Sequence, residues 1–247
     1  MNEAQKSRAE LKDVVGVFLS KIPPEENNSL SSQNKNLIAL DSRVISFVSP
    51  FRDEETLALN LTLPLQLTRF FDVCYRVTHT PGPDEVNLIQ KLYGLPTEMG
   101  SQVNRSLIVM DLRHSNAVGL ESLLRILDSL VLVIRPNVED LKNAYKVIKA
   151  CHYVNPQLET PILFNASMTS AQVESVFARF SEMVSRFLAR SVRCLGASSL
   201  ELGPTSAKMP LSDSLHLDAL VLAGRKTPTL ERIRFLNKLK VLAEADS

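Results

Sequence analysis

From Val44 onward, short apolar runs alternate with stretches of helical periodicity, and that alternation leaves few folds open to the chain. The runs are Val44–Val48, Phe71–Val77, Leu107–Leu112, Leu130–Ile134, Ile162–Phe164 and Val192–Leu195. Each has the length of a strand and is close to continuously apolar, as strands covered on both faces are. Six strands are implied. Between two of them Val173, Val176, Phe177, Phe180, Val184, Phe187 and Leu188 form one helical stripe, opened by a capping box over Thr169 to Gln172. Another helix is expected to start at the cap Asn137, with Glu139 and Asp140 in its first turn and Lys146 and Lys149 near its end, as the helix dipole favours. The sum is an α/β fold: a single domain with a doubly wound, mostly parallel sheet and helices on both faces.

Three segments are expected along the chain. Residues 1–36 read as a polar tail with a short helix from Glu3 to Leu19, the breaker Pro23-Pro24 and a linker from Glu25 to Asn36. Residues 37–223 hold the α/β domain, and residues 224–247 a basic amphipathic helix. No apolar run approaches the roughly 18 residues of a membrane span, and Met1 to Glu10 lacks the order of a signal peptide, so a cytoplasmic protein is expected.

Composition removes several function classes. Lys plus Arg (28) against Asp plus Glu (27) gives a net charge of +1, which supplies no global field toward nucleic acid. Cys74, Cys151 and Cys194 are too far apart for a disulfide framework or a zinc spacing and read as core thiols. The histidines, at 79, 114, 152 and 216, are equally scattered, so no metal site is expected. The neighbours His114 and Ser115 do not make a hydrolase, because adjacent loop residues rarely face each other. Only 8 glycines are present, where an average chain of this length carries about 17.

In open sheets of this type ligands bind outside the carboxyl ends of the strands. The segments to read are therefore Ser49–Glu55, Thr78–Pro83, Asp111–Asn116, Arg135–Asn137 and Asn165–Ser167. The order of elements, together with Arg43-Val-Ile-Ser-Phe-Val-Ser49, Thr56-Leu-Ala-Leu-Asn-Leu61, Leu107-Ile-Val-Met-Asp111, Val131-Leu-Val-Ile-Arg-Pro136, Ala144-Tyr-Lys-Val-Ile-Lys149 and Leu163-Phe-Asn165, resembles the MinD/ParA family of P-loop ATPases, and within it the FlhG/YlxH-like flagellar regulators. The resemblance runs from about Arg43 to Gly196.

The departures from that family matter as much as the likeness. Where the family carries K-G-G-V-G-K-T, this chain has Ser49-Pro-Phe-Arg-Asp-Glu-Glu-Thr56, with no glycine to wrap phosphate and no lysine to neutralise it. Asp53, Glu54 and Glu55 instead place carboxylates at a helix start, where the positive dipole end would otherwise attract phosphate. The family's aspartates after the second strand have no counterpart in Val77-Thr-His-Thr-Pro-Gly82. Asp111 is kept and is a candidate Mg²⁺ ligand or a loop cap, while Asn165 and Pro136 match positions that resemble the family's adenine pocket. The resemblance thus implies a catalytically inactive regulator or scaffold in bacterial flagellar or polar assembly, acting by protein binding without cofactor. The alternative is an unorthodox switch that binds ATP and Mg²⁺.

Two flanking segments bear on partners. Asn2-Glu-Ala-Gln-Lys-Ser-Arg8 is similar to the D-Q-A-x-x-L-R segment by which FlhG-type proteins engage the SRP-type GTPase FlhF, which makes Glu3, Ala4 and Arg8 candidate partner contacts. Pro228 to Ala245 is expected to be a helix with Leu230, Ile233, Leu236, Leu239 and Leu242 as its apolar positions. Its cations Arg232, Arg234, Lys238 and Lys240 suit an anionic inner-membrane surface, and docking on the chain's own core is the competing expectation.

Overall fold

The computed structural model describes residues 42–50, 53–67, 71, 73–78, 89–93, 106–112, 117–199, 201–202, 207–208 and 229–245. Residues 1–36, with Glu3, Ala4 and Arg8, residues 79–88 and the His114-Ser115 pair lie outside them. The elements, in chain order, are β1 (Arg43–Val48), α1 (Asp53–Leu67), β2 (Val73–Thr78), β3 (Ile89–Tyr93), β4 (Ser106–Asp111), α2 (Ala117–Ile126), β5 (Ser129–Ile134), α3 (Val138–Val154), β6 (Ile162–Phe164), α4 (Ser170–Leu188), β7 (Cys194–Ala197), β8 (Glu201–Leu202), β9 (Ala207–Lys208) and α5 (Leu230–Ala245).

Seven strands form one sheet in the order β3-β2-β4-β1-β5-β6-β7. All neighbours are parallel except β2 and β3, which pair antiparallel from Val73↔Tyr93 to Val77↔Ile89. The doubly wound sheet is therefore as the sequence predicts, with six parallel strands and an added antiparallel edge. Strand β3 escapes the pattern because Ile-Gln-Lys-Leu-Tyr carries two polar residues and does not form an apolar run. Strands β4 and β5 are buried at every position, which is why they are apolar without alternation.

The side chains of each strand divide between two cores, as the two-residue period requires. Ile45, Phe47, Cys74, Leu107, Val109, Val131, Val133, Leu163 and Leu195 point to one face, where α1 lays Leu59, Leu63 and Leu67 over them. Val44, Tyr75, Ile108, Met110, Leu130, Leu132, Ile134, Ile162 and Phe164 point to the other, which α2, α3, α4 and α5 cover. Each fully buried Leu on α1 contributes on the order of 1.5–3 kcal/mol.

Local chemistry sets the helix ends. Asn137 caps α3 by accepting the Asp140 N–H at 2.9 Å. Thr169 and Gln172 form the expected capping box on α4, and Ala189 closes that helix in the left-handed region at φ 52°. Strand β7 holds a bulge against β6: Ile162 pairs with Cys194 but Phe164 with Ala197. Gly196, at φ 99°, supplies the backbone conformation that the extra residue needs.

Helix α5 does not stand apart. Leu236 and Leu239 are buried in the core shared with α2, α3 and α4, while Leu230 and Val241 face outward at 61% and 65% exposure.

Candidate functional site

Strand β1 lies at the sheet's switch point. The chain leaves it in one direction through α1 to β2, returns to β4, and crosses in the other direction through α2 to β5, so the crevice for a ligand is at the carboxyl end of β1 between β4 and β5. Three features build this edge.

The first is the β1–α1 turn. Ser49 and Thr56 are both buried, and the Ser49 N–H donates to Thr56 Oγ1 at 2.9 Å. The same hydroxyl donates back to the Ser49 carbonyl at 3.3 Å. One side chain thus satisfies both backbone groups of the residue that leaves the strand. In a working phosphate loop the corresponding hydroxyl serves Mg²⁺ and the backbone N–H groups face phosphate. One turn further along α1, Asn60 donates its amide to the Phe47 carbonyl at 3.2 Å and to the Thr56 carbonyl at 2.9 Å, fixing the helix start to the strand end.

The second is Asp111 at the end of β4. It is buried, 1% exposed, and pairs in register with Thr78. The β1–β4 ladder runs only to Ile45↔Val109, and beyond it the Ser46 hydroxyl donates to the Met110 carbonyl at 2.7 Å. The two strands are therefore bridged by a side chain just before Asp111, beside the turn just described.

The third is the pair of turns after β5 and β6. Asn165 N–H donates to the Ile134 carbonyl at 2.7 Å, which brings the start of the Asn165 turn against the Arg135-Pro136-Asn137 turn. The Arg135 N–H donates to Asp140 Oδ2 at 2.9 Å, so this turn is held by the first turn of α3. Arg135, Pro136 and Asn137 are exposed and Asn165 is half-buried. The structure brings the turns that carry Asn165 and Pro136 together and leaves Asp111, at the end of β4, on the far side of β1 from both.

A second polar cluster, which the sequence reading missed, lies at the opposite edge. Arg232 is 8% exposed and donates to both oxygens of the buried Asp128, at 2.6 and 2.8 Å. It also donates to the Ser42 carbonyl at 2.6 Å and to the Ile126 carbonyl at 3.3 Å, while Asp128 accepts the Val44 N–H at 2.8 Å. Ser42 and Ser106 share a hydrogen bond between their hydroxyls, and Glu159 pairs with Arg193 at 2.6 Å. Burial pulls the Arg43 guanidinium beside this cluster below its ordinary value, against the opposing pull of Asp128 and Glu159. This overturns one expectation: Arg232 is no membrane-facing cation, since a buried carboxylate and two carbonyls occupy it. Arg234, Lys238 and Lys240 do lie on the exposed side of α5. The missed signal was the position of Arg232, four residues before Leu236 and seven before Leu239, on the apolar side of its helix. A cation there needs a buried anion.

The thiols offer no reactive centre. Burial pushes Cys74 up to about 12 and Cys151 up to about 11, and raises Cys194 as well. Among the described residues no three His, Cys, Asp or Glu side chains converge as metal ligands would, and no helix is long and apolar enough to cross a membrane. No protein-family model and no curated protein matches the chain.

Proposed function

We propose that this protein works by binding protein partners on a MinD/FlhG-like scaffold, without nucleotide turnover, as a regulator or scaffold in bacterial flagellar or polar assembly. The observation that carries the reading is the Ser49–Thr56 tie across the β1–α1 turn. The Thr56 hydroxyl, which stands where a phosphate loop has the hydroxyl that serves Mg²⁺, is spent on the Ser49 N–H and carbonyl, and the intervening sequence offers neither glycine nor lysine. Titration calorimetry of the full chain with Mg²⁺ and ATP should show no binding. Micromolar affinity would overturn the reading in favour of an ATP-dependent switch, with Asp111 as the Mg²⁺ ligand and Asn165 and Pro136 at the base.

The partner proposed for the segment with Glu3, Ala4 and Arg8 is an FlhF-like SRP-type GTPase. Binding without stimulation of GTP hydrolysis is expected, because a charged Glu3 stands where the family has an amide. A pulldown that survives removal of residues 1–20 would eliminate that contact. Peripheral attachment to an anionic membrane is assigned to Arg234, Lys238 and Lys240 with the exposed Leu230 and Val241. Flotation with anionic vesicles should fall steeply with salt, and should be lost when the three cations are reversed to Glu; flotation unchanged by that reversal removes the assignment.

A further inference from the structure

Residues 189–193 carry the chain from α4 to β7 and are fastened at two points. Near the end of this connection Arg193 pairs with Glu159 at 2.6 Å and its carbonyl accepts the Ile162 N–H at 2.8 Å. Near its start Arg190 approaches His152 Nδ1 with Nη1 at 2.7 Å and donates Nη2 to the Leu158 carbonyl at 3.2 Å. His152 belongs to the last turn of α3, so the second fastening ties that helix to the segment leaving α4.

A guanidinium donates and never accepts, so Nδ1 is the acceptor and His152 is the neutral tautomer with its proton on Nε2. The partners of Arg190 are thus a neutral ring and a carbonyl, and among the described residues no carboxylate pairs with it. A proton taken from solvent onto Nδ1 turns the acceptor into a donor and sets two cations face to face. The surroundings supply no free counter-charge. On α3 itself Lys149 is exposed one turn back, Tyr153 brings a ring 6.4 Å from the imidazole between centroids, and burial keeps the Cys151 thiol neutral by pushing it up to about 11. From α4 the cation Arg186 stands one turn before Arg190, and Glu182 a turn further back. From α2, which packs on α3, Glu121 is paired with Arg125 at 2.8 Å, and Glu159 ahead of β6 is paired with Arg193.

We propose that His152 and Arg190 form a pH-sensitive catch, closed while the imidazole is neutral and released when it takes up a proton. Between pH 8 and 5 histidine is the side chain whose charge changes, so the stability that the catch contributes is present at the upper end of this interval and lost as pH falls. The release is local. Residues 159–161 stay held to β5 through the Glu159 carbonyl, which accepts the Leu130 N–H at 2.8 Å, and the Pro161 carbonyl, which accepts the Leu132 N–H at 2.9 Å. What loosens is the connection over residues 189–193, and with it the approach to the edge strand β7.

The test is amide hydrogen exchange of the full chain at pH 7.5 and 5.5, read as protection factors so that the intrinsic pH dependence of exchange drops out. Residues 189–193 should lose about tenfold or more of their protection at pH 5.5, while the middle of α4 keeps its own. His152→Asn, which retains an acceptor oxygen near the place of Nδ1 and takes up no proton, should abolish the difference. Arg190→Met should give the low protection at both pH values, and Glu159→Gln should leave the difference in place. The proposal is overturned if the unsubstituted protein is equally protected at both pH values, or if Glu159→Gln removes the difference. It is equally overturned if the difference survives either His152→Asn or Arg190→Met, so the decision does not depend on one variant folding.

Discussion

Arg232 and Asp128 form a doubly hydrogen-bonded ion pair with little solvent access, and the energetics of such a pair are asymmetric. Removing one partner leaves a buried charge unmatched, so Arg232→Met should cost about 3–5 kcal/mol and lower the melting temperature on the order of 10 °C. Adding Asp128→Asn should recover part of that loss, because it removes the charge yet leaves an acceptor for the Val44 N–H; a double variant no more stable than Arg232→Met would contradict the account. Thr56→Val tests the β1–α1 turn. It keeps the shape but strips two hydrogen bonds from buried backbone groups, for an expected loss of about 1–3 kcal/mol seen in denaturant melts. Thiol ionisation gives a pH dependence. An ordinary thiol titrates near 9 and Cys74, desolvated, near 12, so between these values the folded state holds a proton that the unfolded state has lost. Stability is therefore fully present below pH 9 and falls as pH rises toward 12. Cys74→Ala should flatten that decline, and an unchanged slope would place its origin elsewhere.

The helices show what local patterning can and cannot reveal. The α3 and α4 starts were legible because Asn137, Thr169 and Gln172 carry their own capping chemistry, independent of tertiary context. Thr169→Ala should accordingly destabilise by about 1 kcal/mol in thermal melts, with little change elsewhere. Helix α5 was legible as a helix but not as to what it touches, since its apolar positions suit a lipid face and a core alike; Leu236, Leu239 and above all Arg232 settle its docking on α2 and the sheet. A chain ended at Gly224 should thus melt well below the full chain, because it removes the buried Leu236 and Leu239 from the core and leaves Asp128 without its cation. Equal melting of the two chains would mean that α5 contributes nothing to the core. Strand β3 was invisible because Gln90 and Lys91 interrupt its apolar residues and leave no continuous apolar run.

The sheet as a unit was readable because parallel strands buried on both faces leave a nearly pure apolar record, and Val44–Val48, Leu130–Ile134 and Ile162–Phe164 match their strands almost to the residue. The candidate site was less so. Asp111 could be placed at a strand end, but its burial, and its separation from Asn165 and Pro136 by β1, depend on a strand order that no local pattern encodes. The exposure of Phe187 was hidden for a related reason: it lies in the apolar stripe of its helix, and only the packing shows that it is left outside. The strand order also sets a timetable for synthesis. Strand β1 is made early, yet its neighbours β4 and β5 begin more than sixty and eighty residues later. The Asp128 charge then waits a further 104 residues for Arg232, which also reaches back 190 residues to Ser42. Until Arg232 has left the ribosome, the half-finished sheet carries an unneutralised carboxylate beside its central strand, so the nascent chain should stay protease-sensitive and turn resistant late, in one step.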